Sequence, residues 1–137
     1  MRAFVLDCSV AMAWCFEDEA NSSADAVLSA MPDAQVWVPA IWPLEVANVL
    51  VVAERRARLS KTDTARFVSL LGELPITTDE EAPRQAFGEI LSVARRQKLS
   101  TYDAAYLELA LRRNLPLATL DARLKAAARS LRVSTRI

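Results

Sequence analysis

The sequence predicts a single α/β domain spanning residues 1–137, a parallel β-sheet flanked by helices on both faces. Three observations predict it. A chain of 137 residues has the length of one compact domain. Its 53% apolar and 25% charged residues, with only two glycines, are the balance of a folded chain with a sizeable core. Short apolar runs alternate with longer amphipathic stretches, the pattern of strands joined by helices.

Ala3 to Leu6 is the first such run and reads as a buried strand, followed by a helix from near Val10 that Ser9 can cap. Glu17 to Glu19 is a polar turn, and Asn21 to Met31 is helical up to Pro32. Gln35 to Val38 is the second strand, stopped by Pro39. Pro43 stands where a first-turn proline belongs and opens a long helix through about Ala57. Ser60 and Asp63 form the pattern of a capping box for a helix through about Glu73. Pro75 to Thr77 is a short strand, and Pro83 opens a helix to about Gln97. Ser100 and Asp103 repeat the capping pattern for a helix ending near Asn114. Leu117 to Thr119 is strand-like, Ala122 to Leu131 helical, and Val133 to Thr135 a last strand.

Composition excludes several chemistries. Without histidine, the chain cannot supply Ser-His-Asp or Cys-His nucleophiles or a His-ligated zinc. Gly72 and Gly88 stand alone, so there is no phosphate-cradling or dinucleotide-binding loop. Cys8 and Cys15, in an apolar stretch, suit reduced thiols and a cytoplasmic protein. Asp7 interrupts the apolar amino-terminal run, which disfavours a signal peptide, and no run reaches the ~18 to 20 apolar residues of a membrane span. Charge is balanced overall but polarised: acids outnumber bases over residues 1–91, and bases outnumber acids over residues 92–137. That asymmetry suits a polyanion held by the second part and cations held by the first, or simply solvated helix faces.

Four carboxylates stand in apolar surroundings. Asp7 closes the first strand, Glu45 lies in the first turn of a long helix with Asn48 beyond it, Asp103 begins another helix, and Asp121 follows the fourth strand. In an α/β sheet, groups placed just after strands gather at the carboxyl edge, where ligands bind. Clustered carboxylates without a neighbouring cation repel one another, and a hard divalent ion such as Mg²⁺ or Mn²⁺ offsets that cost through oxygen ligation. Taken singly, each acid also has a structural explanation as a helix cap or turn former. Two hydroxyls add to the combination: Ser9 lies two residues after Asp7, and Thr119 two before Asp121, on the same side of an extended segment.

The strand ending in Asp7-Cys8-Ser9, the helix carrying Glu45-Val46-Ala47-Asn48, the segment Thr101-Tyr102-Asp103-Ala104-Ala105-Tyr106, and Ala118-Thr119-Leu120-Asp121 together resemble the PIN-domain ribonucleases. Their order and spacing are most similar to the VapC toxins of bacterial type II toxin-antitoxin pairs. The resemblance implies a metal-dependent endoribonuclease. Asp7, Glu45, Asp103 and Asp121 would be its catalytic metal ligands for Mg²⁺ or Mn²⁺, supported by Ser9, Asn48 and Thr119. A bound ion would activate water for in-line attack on the RNA phosphodiester, leaving a 3′-hydroxyl and a 5′-phosphate. The sequence departs from the family pattern after Asp121, where Ala122, Arg123 and Leu124 replace a further acid and an aromatic.

The resemblance also implies a homodimer and a VapB-like antitoxin whose carboxyl-terminal segment lies in a groove. Trp14, Phe16, Trp37 and Trp42 are candidate interface aromatics, with Trp37 better suited to the core. Arg95, Arg96, Lys98 and Arg123 are candidate RNA contacts, whereas Arg112 and Arg113 suit a solvated helix end. The competing readings are a PIN-like module that binds RNA or protein without cutting, and a receiver-type phosphoacceptor domain in which Asp79 would take the phosphoryl group.

Overall fold

In the computed structural model of the protein, residues 2–136 are described; Met1 and Ile137, the ends of the predicted domain, lie outside them. Five strands, β1 (Ala3–Leu6), β2 (Gln35–Pro39), β3 (Ile76–Asp79), β4 (Leu117–Ala118) and β5 (Thr135–Arg136), form one sheet in the order β3-β2-β1-β4-β5. Every neighbouring pair is parallel, and Val5 pairs with Trp37 on one side and Leu117 on the other. Successive residues of a strand face opposite sides of a sheet. Phe4, Val5 and Leu6 are all fully buried, so both faces of β1 are covered, as the predicted architecture requires. A receiver domain would carry β1 between β2 and β3; here β3 is an edge strand and β4 takes that place, so the phosphoacceptor reading fails on topology.

The helices are α1 (Cys8–Cys15), α2 (Ser22–Ala30), α3 (Trp42–Arg55), α4 (Lys61–Glu73), α5 (Ala82–Gln85), α6 (Leu91–Gln97), α7 (Thr101–Arg113) and α8 (Ala122–Ser130). Their starts follow the sequence signals. Asn21 caps α2 by accepting from the Ser23 and Ala24 N–H groups, Pro43 sits in the first turn of α3, and Ser60 and Asp63 make both bonds of a capping box on α4. Their ends rarely use glycine, which the chain lacks there. Ala57, Lys98, Asn114 and Arg132 adopt left-handed backbone at φ 54 to 59° instead. The middle of α7, from Ala104 to Ala110, is buried throughout and packs on β1, β2 and β4.

Four local expectations change. Helix α1 begins at Cys8 rather than Val10, and Ser9 lies inside it, its hydroxyl turned toward Asp7 instead of capping. The predicted helix from Pro83 to Gln97 is broken by a π-helical turn at Ala86–Ile90, where Gly88 leaves helical geometry at ψ −105°. Strand β3 runs on to Asp79, its Thr78 and Asp79 pairing with Val38 and Pro39 of β2, and Arg112 and Arg113 pair with that buried acid. Strand β5 lies at Thr135–Arg136, while Val133 turns into the core.

The arginines at the end of α7 are not a solvated helix end. Arg112 donates to Asp79 Oδ2 at 2.6 Å and to Glu108 Oε2 at 2.7 Å, and Asp79 and Glu108 are both buried. Arg113 reaches Asp79 Oδ1 at 3.3 Å and lies 3.5 Å over the ring of Trp37. Trp37 is thereby covered from within the chain. Trp42 is buried too, its indole N–H without a hydrogen-bond partner among the described residues, so it is a core residue rather than an interface aromatic.

Candidate functional site

From β1 the chain builds outward through β2 to β3, then crosses back to β4 and β5 on the other side. Strand order therefore reverses between β1 and β4, the point where an open α/β sheet leaves a crevice beyond its carboxyl ends. Asp7 follows β1 and Asp121 follows β4 at that crevice, and the Asp7 N–H continues the ladder by donating to the Ala118 carbonyl at 2.9 Å.

Asp7 is buried, yet its side chain makes no cap bond to α1. Its Oδ2 instead accepts from the Ser9 hydroxyl at 2.6 Å and the Thr119 hydroxyl at 2.7 Å. Ser9 also accepts from the Leu120 N–H and Thr119 from the Asp121 N–H, each at 3.0 Å, so two hydroxyls stitch the ends of β1 and β4 together. Asp121 in turn caps α8, Oδ1 accepting from the Leu124 N–H at 3.0 Å. The dull role and the site position coexist in Asp121.

Glu45 and Asp103 enter from the first turns of α3 and α7, which point back toward the carboxyl edge of the sheet. Glu45 Oε1 accepts from the Tyr106 hydroxyl at 2.5 Å. Asp103 gives its N–H to the Ser100 hydroxyl at 3.1 Å. Asn48 stands exposed a turn beyond Glu45, with no hydrogen bond to the other candidates among the described residues. Tyr106 belongs to the motif but carried no expected role; its position three residues after Asp103, on the same helical face, was the available signal.

Asp7, Glu45 and Asp103 each titrate under the charge of at least one other acid. Burial pushes the Asp7 carboxyl above its ordinary range, against the Ser9 and Thr119 hydroxyls and with the help of the Asp121 charge. Burial also raises Glu45, opposed by the Tyr106 bond and reinforced by Asp7 and Asp103. Asp103 is raised by burial, then by Asp7 and Asp121, with Arg123 acting the other way. The Cys8 thiol, buried beside Glu45 and Asp7, is pushed up to about 12 and stays protonated. No Lys or Arg forms an ion pair with any of the four carboxylates among the described residues.

Repulsion among the acids is a cost that the hydroxyl donors only partly offset. Among the described residues no three acidic or thiol side chains stand close enough to enclose a metal ion by themselves. The donor set nevertheless suits a small hard cation: it is all oxygen, its charges act on one another across the crevice, and none of the four forms an ion pair among the described residues. Mg²⁺ keeps several of its waters and is held through one or two carboxylates, so it needs no closed cage.

The basic candidates divide. Arg123, exposed in the first turn of α8, is near enough to Asp103 to lower its pKa, while Arg95, Arg96 and Lys98 are exposed at the end of α6, just ahead of α7. Of the aromatics, Trp14 and Phe16 line a groove of about 620 Å³ with Arg58, Phe67 and Leu70. Arg58 lies 4.0 Å over the Phe16 ring and pairs with Asp18 and Glu19. No helix among the described residues is long and apolar enough to cross a membrane.

Comparison with known proteins agrees with this architecture. The crystal structure of PAE2754 from Pyrobaculum aerophilum superposes with a TM-score of 0.70 at 22% identity, covering 92% of this chain and 86% of that one. A toxin-antitoxin complex from Klebsiella pneumoniae superposes with a TM-score of 0.59 at 19% identity, covering 86% of each chain. No curated protein matches the chain. At these identities the superpositions speak for the fold; the family model described as PIN domain, however, matches residues 4–130, which take in all four carboxylates. The chain therefore belongs to the PIN domain family.

Proposed function

We propose that this PIN domain is a divalent-ion-dependent endoribonuclease toxin, homodimeric, cytoplasmic, and silenced by a VapB-like antitoxin. What supports the reading is that the charges of Asp7, Glu45, Asp103 and Asp121 act on one another around the β1/β4 crevice, with no ion-paired Lys or Arg among the described residues. PIN domains are generally nucleases, and PIN nucleases typically use divalent metal ions. A solved toxin-antitoxin complex shares the fold, which supports an antitoxin partner, and the groove beside Trp14 and Phe16, lined by both apolar and charged side chains, is a candidate seat for it. Both cysteines are free thiols, in keeping with a reducing compartment.

In this reading Asp7, Glu45, Asp103 and Asp121 would hold Mg²⁺, or Mn²⁺ in its place. When bound, such an ion makes water a stronger nucleophile and stabilises charge on the departing oxygen. The chain's own groups supply the positioning. Ser9 and Thr119 hold Asp7, the Leu124 N–H holds Asp121, and Tyr106 holds Glu45. Arg123, whose charge reaches Asp103, would meet a phosphodiester, and the exposed Arg95, Arg96 and Lys98 would add phosphate contacts. Single-stranded or loop RNA is the expected substrate, since its bases can be splayed away from a helix.

The spread of the carboxylates is the one feature that favours the second reading, a PIN module that binds without cutting. A structured RNA incubated with the protein, with and without Mg²⁺, separates the two. Cleavage is expected for wild type with Mg²⁺, and loss of cleavage for Asp7→Asn, for Asp103→Asn and in excess EDTA. Equal cleavage by the two variants, or in EDTA, rejects the nuclease mechanism.

A further inference from the structure

Among the described residues six large apolar side chains lie exposed, and two of them, Leu44 and Tyr102, stand directly before an acid of the crevice, Glu45 and Asp103. Both pairs occupy first helical turns, of α3 and of α7. Tyr102 is the aromatic member and keeps 61% of its surface in solvent, whereas Ala104 to Ala110, further along the same helix, are buried throughout. Core packing accounts for those residues and leaves Tyr102 without a partner.

Helical side chains lean toward the amino terminus of their helix. Because α7 starts at the carboxyl edge of the sheet and runs back to enter β4, that lean carries Tyr102 outward past the edge on which the crevice opens. From the first turn of α8 the charge of Arg123 reaches Asp103, so positive charge acts beside the same helix start. Single-stranded nucleic acid is bound by this pairing of groups: bases stack on an aromatic ring while phosphates meet a cation. A base held within a duplex has no free face to stack. We propose that Tyr102 is a substrate-binding residue that stacks a base of single-stranded RNA at the rim of the crevice. The inference rests on the ribonuclease reading of the site and adds to it the side chain that holds a base.

Fluorescence anisotropy tests it with two labelled strands of equal length, a single-stranded RNA and an abasic ribose-phosphate strand that keeps the charges and lacks the bases. The parent protein is the full chain carrying Asp7→Asn, so that the RNA stays uncut, and Tyr102 is changed in it to Phe, Leu or Ala. Each variant is first shown folded by a thermal melt, which the exposure of Tyr102 favours. Tyr102→Ala is expected to weaken RNA binding about tenfold, within the range that removal of a stacking aromatic produces. Tyr102→Phe keeps the ring and is expected to stay within about twofold of the parent. Tyr102→Leu keeps apolar bulk without a flat face and is expected to lose nearly as much as Tyr102→Ala. On the abasic strand all four proteins are expected to bind alike, and the salt dependence is expected to match the parent's, because no phosphate contact is lost. An equal loss by Tyr102→Ala on both strands, no loss on the RNA, or a Leu variant as good as the Phe variant overturns the inference while leaving the ribonuclease reading in place. A folded parent that binds neither strand overturns that reading and this inference with it.

Discussion

Thr119 donates its hydroxyl to Asp7 Oδ2 at 2.7 Å, joining residues 112 positions apart in the chain. With Ser9 donating to the same oxygen, one carboxylate ties together the end of β1, the first turn of α1 and the end of β4. A buried carboxylate needs such donors, and here they also set the distance between the two strands that frame the crevice.

Thr119→Val removes the hydroxyl while keeping the shape. It is expected to cost about 1–3 kcal/mol, because Asp7 loses one of two hydroxyl donors and the Asp121 N–H loses its acceptor. Urea unfolding measures the loss, and Thr119→Ser is expected to recover most of it.

Asp7→Asn is expected to stabilise the protein in EDTA at neutral pH. Burial raises the Asp7 carboxyl, so its charged form is the one that folding disfavours. Removing that charge is expected to be worth about 0.5–2 kcal/mol, the scale of relieving a functional site of its strain. Added MgCl₂ is expected to raise the melting temperature of wild type by mass action and that of Asp7→Asn much less. A variant less stable than wild type in EDTA contradicts the account of Asp7.

Arg112→Ala leaves Asp79 and Glu108 buried without their shared cation, at an expected cost of about 3–5 kcal/mol near pH 7. Burial alone would raise Asp79, but the Arg112 bonds and charge outweigh it and hold its carboxyl below the ordinary range. Stability from a depressed carboxylate is present above the unfolded value of about 3.9 and is lost as pH falls through the folded value. The gap between wild type and Arg112→Ala is therefore expected to shrink below about pH 4, as measured by melts across pH 3 to 7.

Ala57 ends the turn after α3 at φ 56°. The left-handed region costs an L-residue about 1–2 kcal/mol and glycine almost nothing. After the added flexibility of the unfolded chain, Ala57→Gly is expected to gain about 0.5–1 kcal/mol in a urea titration.

Arg123→Ala tests the basic surface next to the acids. If Arg123 meets a phosphate, the slope of log affinity against log salt for a single-stranded RNA is expected to flatten by about 0.7, the release from one phosphate contact. Binding measured by fluorescence anisotropy with an inactive Asp103→Asn protein reads that slope; an unchanged slope removes Arg123 from the interface.

Much of the fold was legible because its signals are local. The Ser60 and Asp63 capping box and the first-turn Pro43 act within a few residues of themselves, and the structure shows each where its spacing put it. Helix α1 was misplaced for a non-local reason: Ser9, a good cap by type, is drawn to Asp7 and to the Leu120 N–H 111 residues away. Arg112 and Arg113 were misread likewise, since nothing near them in the chain announces Asp79 and Trp37. The i, i+4 pair of Glu108 and Arg112 was visible, but not that both would be drawn inward by an acid on an edge strand.

Residue order alone established the alternation of strands and helices, the absence of imidazole chemistry, and four acids isolated among apolar neighbours, because periodicity, capping and composition are properties of short windows. Only the folded chain decided that β4 rather than β3 lies beside β1, which hydroxyls hold Asp7 and Glu45, and that Trp42 belongs to the interior. Those outcomes depend on contacts between residues tens to more than a hundred positions apart, and such contacts exist only once packing has brought them within hydrogen-bonding distance.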